Sequence, residues 1–227
     1  MADEMAAKQI PLTLIVAATP KNGIGKNGSL PWPMLKKEMA YFARITKRVP
    51  TPTNTGSLQS DTFKQTVLDG TQRNAVIMGR KTWESIPPKF RPLKDRTNIV
   101  ISSQAREKLD SIPDEVVVAS DIITGLDKLS SHVEAGKALP VGRAIYDSAL
   151  ELPQTKHVLL SRIHKDYDCD TFFPDLSGNA TRTESEWQRK TRSDLSDFIG
   201  EEAPDGSITG TAGEEEVQFE YQLYERP

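Results

Sequence analysis

Leu12 to Thr19 reads LTLIVAAT, an unbroken apolar run with the length of a strand buried on both faces of a sheet. Asn74 to Met78 (NAVIM), Arg96 to Ser103 (RTNIVISS), Glu115 to Ser120 (EVVVAS) and Lys156 to Ile163 (KHVLLSRI) repeat the pattern. Between the first two lies a helix beginning near Met34, in which Leu35, Met39, Phe42 and Thr46 form an apolar stripe. A short helix follows Gly79 and stops before Pro87 and Pro88. Asp121 caps another, whose Ile122, Leu126, Leu129 and Val133 recur until Gly136, and Ala144 to Leu150 is again helical. Near the end Val217, Phe219, Tyr221 and Leu223 alternate with Gln218, Glu220 and Gln222, a half-exposed antiparallel strand at an edge of the sheet. Strands alternating with helices predict an α/β fold in a single domain, residues 1–227. Its central sheet is mostly parallel with helices on both faces, and a C-terminal antiparallel hairpin closes it.

Three stretches break the alternation. Residues 49–72 are rich in Thr, Pro, Gly and Ser, and 175–213 are polar, with a short helix near Asp194 to Ile199; both read as surface insertions. Between Gly136 and Ala144 a strand is due, yet the chain offers only KALPVGR, whose Pro140 lacks the N–H that a central strand donates.

Candidate chemistry concentrates between Gly23 and Phe42, GIGKNGSLPWPMLKKEMAYF. Gly23, Gly25 and Gly28 satisfy G-x-G-x-x-G, but a dinucleotide fingerprint needs a helix to open at the third glycine. Leu30 and Trp32 each precede a proline and are held extended, so no helix starts there. A phosphate-binding P-loop fails as well, because Asn27 follows Lys26 where Ser or Thr is required. In the helix beyond, Glu38 falls between Leu35 and Phe42 on or beside the apolar stripe. Buried, such a carboxyl has a raised pKa and serves as an acid near neutrality; at the edge of the stripe it simply reaches water, as Lys36, Lys37 and Arg44 do. Gly79 followed by Arg80, Lys81 and Thr82 joins a strand to a helix N-terminus, which reads either as an anion site or as an ordinary turn with solvated cations.

Composition narrows the classes. The net charge of −3 over 227 residues gives no general attraction to nucleic acid or to an anionic membrane. A single cysteine, Cys169, cannot form an internal disulfide, and His132, His157 and His164 are too scattered for a zinc site, so no metal is expected. MADEMAAKQI has no apolar signal core and no later run reaches the roughly 18 residues of a membrane span. The expectation is a cytoplasmic, monomeric protein.

Taken together, GIGKNGSLPWP, the helix with Glu38, VIMGRKTWESIP at 76–87, RPLKDR at 91–96, NIVISSQ at 98–104 and DTFFP at 170–174 resemble dihydrofolate reductase of the longer eukaryotic type. The resemblance implies reduction of 7,8-dihydrofolate by NADPH, and antifolate inhibitors as ligands. Glu38 matches the family's active-site carboxylate, assisted by Trp32 and Leu30. Ile15, Val16, Ala17, Met39, Phe42, Ile86 and Leu93 match the pterin and benzoyl pocket, Ser161 a hydroxyl bonded to the carboxylate, and Arg96 the partner of the glutamate tail. Gly23 to Ser29, with Ile24, Gly25, Lys26, Gly28 and Ser29 as contacts, match the mobile loop over the nicotinamide, and Ala17 matches a further cofactor-binding position. Gly79, Arg80, Lys81 and Thr82 match the phosphate turn, Ser102 and Ser103 the surroundings of the 2′-phosphate, and Tyr146 a further cofactor contact.

The chain departs from the family's pattern at Asp95, where a small residue is common, in the long insertion at 49–72, and before Ile145, where about seven residues of a central strand and its Gly-Gly pair are expected to be missing. The last departure leaves a second reading, a protein of the same fold that binds folate and NADPH with little turnover.

Overall fold

The computed structural model describes residues 10–49, 73–109, 112–130, 135–141, 143–176, 186–212 and 215–227. Residues 50–72 of the first expected insertion, and 177–185 and 213 of the second, lie outside them. The strands are β1 (Leu12–Ala18), β2 (Gly23–Gly25), β3 (Arg73–Gly79), β4 (Thr97–Ile101), β5 (Val117–Ala119), β6 (Ala135–Val141), β7 (Thr155–Ile163), β8 (Thr171–Phe172), β9 (Gln188–Arg189), β10 (Ile208–Ala212) and β11 (Glu215–Glu225). The helices are α1 (Lys36–Lys47), α2 (Arg80–Ser85), α3 (Ile122–Ser130), α4 (Arg143–Leu150) and α5 (Arg192–Ile199).

A nine-stranded sheet runs β10-β11-β7-β1-β6-β3-β4-β5, with β9 paired on β11. The six strands from β7 to β5 are mutually parallel, while β11 is antiparallel to β7 and β10. This is the α/β arrangement expected. Alternation along β1 sends Leu12, Leu14, Val16 and Ala18 into one core layer with Ile122, Leu126 and Ile145. Ile15 enters the layer on the other face with Tyr41, Ile45, Trp83 and Leu195. A strand covered on both sides favours apolar side chains on both faces, and in LTLIVAA the buried Thr13 is the one polar residue.

Several expected boundaries shift. Helix α1 opens at Lys36, two residues after Met34, with Leu35 as its uncapped first flank. Its buried face is Glu38, Tyr41, Ile45 and Thr46, with Leu35 buried just before it. Met39 is 40% exposed. The stripe is thus rotated toward Glu38, because that side of the helix lies on the sheet. Helix α3 is described over Ile122–Ser130, Val133 lies outside the described residues, and Ala135 and Gly136 belong to β6, so the helix does not reach Gly136.

The missing central strand is therefore present, a correction with a physical basis: β1 and β3 leave a slot whose backbone groups need partners. Strand β6 fills it in spite of Pro140, which stands opposite Ile77. The pairing is uneven. On β3 it runs from Arg73↔Ala135 to Met78↔Val141, whereas on β1 it is Leu12↔Ala138. Strand β11 is not an edge; β10, drawn from the polar 175–213 stretch together with β9 and α5, covers its outer side.

Candidate active site

Glu38 sits in the first turn of α1, 8% exposed, and accepts a hydrogen bond from Ser161 Oγ at 3.2 Å. Ser161 is placed by β7, where it pairs with Ala17 of β1 and Tyr221 of β11. Burial raises the Glu38 carboxyl from 4.5 to about 7, and the Ser161 hydrogen bond offsets part of that rise. The carboxyl is thus poised to hold or release a proton near neutrality. Tyr41 and Tyr221, stacked 3.6 Å apart at 12°, stand on the same side of the sheet. The sequence marks Tyr221 only as a strand position and does not single out Tyr41, for which the i+3 spacing from Glu38 is the available signal.

A stability consequence follows from the raised pKa. Between 4.5 and about 7 the folded chain keeps a proton that the unfolded chain has lost. Stability is fully present below this window and falls as pH rises through it, by on the order of 3 kcal/mol if the whole shift is expressed. In urea unfolding at a series of pH values, Glu38→Gln should lose this fall relative to the parent. Parallel curves for the two proteins would show that the carboxyl is not perturbed.

Around the carboxylate the expected pocket residues divide. Ile15 is 4% exposed, and Phe42, Ile86 and Leu93 pack on the same core layer. Val16 does not join them: strand alternation turns its side chain into the opposite layer, leaving its backbone for this face. Ala17 and the buried Trp32 belong to a third cluster with Leu35, Ile163 and Phe219. Leu30 is exposed like Met39, and Phe90, which sequence reading did not single out, is 55% exposed.

Arg96 is 8% exposed, yet among the described residues no carboxylate lies within ion-pair distance. Its Nη1 donates to Thr46 Oγ1 at 2.7 Å and its Nε to Lys94 O at 3.0 Å, both neutral acceptors. Burial lowers its pKa, with Asp95 opposing. A desolvated guanidinium whose hydrogen bonds among the described residues go to neutral oxygens is suited to receive an anion. Asp95 itself has φ +61°, a left-handed position that Asp tolerates, and it pairs with Lys47 at 3.0 Å.

The glycine loop is a hairpin in miniature. Lys26 N donates to Ser29 O and Ser29 N to Lys26 O, around Asn27 (φ +51°) and Gly28 (φ +76°), the paired positive φ of a type I′ turn. Strand β2 pairs with β8, Asn27 N donates to Asp170 Oδ2 at 2.8 Å, and Lys26 pairs with Asp168 at 2.9 Å. Gly23 is required by contact, since an added Cβ would fall 2.4 Å from Cys169 Sγ. Ile24 packs on the β1 layer.

On the cofactor side, Gly79 pairs with Ile101, so Arg80 and Ser102 are the first residues beyond two neighbouring strand ends. Helix α2, which carries Lys81 and Thr82, has no side-chain cap among the described residues, and it opens at the strand ends beside Ser102 and Ser103. Ser102 Oγ accepts from Gln104 N at 3.0 Å, and Arg80 Nη1 donates to Glu84 at 2.6 Å. Cations, hydroxyls and an uncapped helix start together suit a phosphate group. Tyr146 is buried and donates to Ile15 O at 2.7 Å, tying α4 to β1 beyond the point where β6 pairs with it.

A family model described as dihydrofolate reductase matches residues 58–198. Dihydrofolate reductase from Pneumocystis carinii is 37% identical over 96% of this chain and 98% of its own length. The chain belongs to the dihydrofolate reductase family. The enzyme of that name from Drosophila melanogaster is 32% identical, over 94% of this chain and 96% of that one. The Schizosaccharomyces pombe relative is 37% identical over 94% of this chain, which spans 46% of that longer protein. Among solved structures, Schistosoma mansoni dihydrofolate reductase superposes with a TM-score of 0.67 and 29% identity, covering 96% of this chain and 99% of that one. No helix among the described residues is long and apolar enough to cross a membrane, and no cluster of His, Cys, Asp and Glu there suits a metal.

Proposed function

We propose that Glu38, Ser161 and Arg96 are the working side chains with which this dihydrofolate reductase family member converts 7,8-dihydrofolate to 5,6,7,8-tetrahydrofolate, with NADPH as the hydride donor. The observation that carries the reading is the buried Glu38 carboxyl, with a pKa near 7, on the same helix face as Tyr41 and Ile45 of the apolar layer. Reduction of the N5=C6 bond needs a hydride at C6 and a proton at N5. NADPH, when bound, supplies the hydride. Glu38 accepts from the pterin N3 and 2-amino donors, and below its ionisation near 7 it retains the proton that the site passes on. While gripping N3 it cannot touch N5, so it polarises the ring and the proton reaches N5 through water. Ser161 orients the carboxylate, and Trp32 closes its apolar surround. Arg96 receives the α-carboxylate of the glutamate tail. A glutamate-bearing antifolate meets the same two charged groups.

For the cofactor, Arg80, Ser102 and Ser103 hold the 2′-phosphate, and this sets NADPH apart from NADH. Arg80→Leu is expected to raise the dissociation constant of NADPH on the order of tenfold while leaving that of NADH nearly unchanged, read by quenching of protein fluorescence. Equal losses for both nucleotides would remove Arg80 from phosphate recognition.

The direct test mixes purified protein with NADPH and dihydrofolate. The expected result is loss of NADPH absorbance with tetrahydrofolate as the product. The uneven β6 favours one competing reading, a protein that binds both molecules without turnover. Calorimetry showing NADPH and antifolate binding, with no NADPH oxidation, would establish that reading instead.

A further inference from the structure

Arg96 is held in place by a relay that begins on a different strand. Asn74 in β3 is 1% exposed, and its Nδ2 donates twice, to Thr46 O at 3.0 Å and to Arg48 O at 2.8 Å. These are carbonyls at the C-terminal end of α1, where the helix has no further N–H groups to offer. Thr46 is fully buried; its hydroxyl donates its one proton to Phe42 O at 2.7 Å and so meets Arg96 Nη1 purely as an acceptor. On the facing side Asn98, level with Val76 of β3, accepts from Leu93 N at 2.9 Å and donates to Leu93 O and Arg96 O. One buried amide thus fixes the helix end and another the turn that carries Arg96. The two meet at the 2.7 Å bond between Thr46 and Arg96. Asn74 Oδ1 has no partner among the described residues, an unsatisfied acceptor that costs stability. A leucine would avoid that cost, so the position is held for what its NH2 group does.

We propose that Asn74, acting through Thr46, is the positioning residue for Arg96, and so sets the affinity of this site for ligands that carry a carboxylate tail. The inference rests on Arg96 as the tail's partner. A planar guanidinium binds a carboxylate with two bonds only when its plane is fixed. Releasing the end of α1 moves Thr46 Oγ1 and lets that plane turn. The pterin end of the pocket, centred on Glu38 in the first turn of the same helix, is untouched.

The test compares dissociation constants for two antifolates, one bearing a glutamate tail and one a diaminopyrimidine without any carboxylate. Asn74→Leu and Thr46→Val should each weaken the tailed ligand on the order of tenfold, with the tailless one held within about twofold. Thr46→Ser, which keeps the acceptor, should restore the tailed ligand's affinity. A purely structural role would weaken both ligands together, and that result, or no change in either, overturns the proposal. Thr46→Val carries the test alone should Asn74→Leu fail to fold. Arg96→Leu serves as the control: if it discriminates and the other two do not, the relay is wrong. If it too fails to discriminate, the assignment of Arg96 is what falls.

Discussion

Replacing Glu38 by alanine is expected to lower kcat for dihydrofolate reduction a hundredfold or more, the scale of a lost acid–base group. Glutamine should be nearly as damaging, since it keeps the shape and the Ser161 contact but offers no ion pair to the pterin and no titrating proton. The size of the effect comes from burial. At 8% exposure no bulk water replaces the carboxyl, and no other carboxylate among the described residues pairs with Ser161. Steady-state NADPH oxidation with the purified variants measures it. Full activity in the alanine variant would take Glu38 out of the chemistry altogether. A smaller change, with KM alone affected, would assign it to binding and not to proton supply.

Arg96→Leu is the second large effect, and it separates substrate classes. Losing a buried cation that, among the described residues, faces only neutral partners should weaken dihydrofolate by roughly one to two orders of magnitude, the scale of truncating a hydrogen-bonded charge pair. A pterin without the glutamate tail should bind the variant and the parent alike. Titration of protein fluorescence with both ligands reads the difference. Unchanged dihydrofolate affinity would direct attention to a substrate that has no carboxylate tail.

The parts of this arrangement that were legible in the sequence are those set by short-range pattern. LTLIVAAT predicts a strand covered on both faces, and β1 has one core layer on each side. Glu38 beside an apolar stripe predicts a buried carboxyl, and the strand hydroxyl of Ser161 meets it. What escaped depends on partners far along the chain. Thr46 reads as one more member of the apolar stripe, but it is the acceptor for Arg96, fifty positions away. Pro140 argues against a central strand by its own chemistry, yet the open slot between β1 and β3 outweighs one missing donor. The resemblance places Val16 in the pocket, though the period of the strand points its side chain away from Ile15. The Asn27-Gly28 pair is a type I′ turn signal, and it shapes the loop more than the spacing of its three glycines does.

The uneven β6 and the lone Gly142, which lies outside the described residues, make the cofactor side the place where this chain differs most from the pattern its family resemblance implies. The tie from Tyr146 to Ile15 holds α4 against β1 where strand pairing has run out.

The most direct test of the account is the rate of hydride transfer in a single turnover, followed across pH in the parent and in Glu38→Gln. The account expects the parent rate to fall as pH rises through an ionisation near 7, and the variant to be slow with no such ionisation. An unchanged rate and profile in the variant would contradict it.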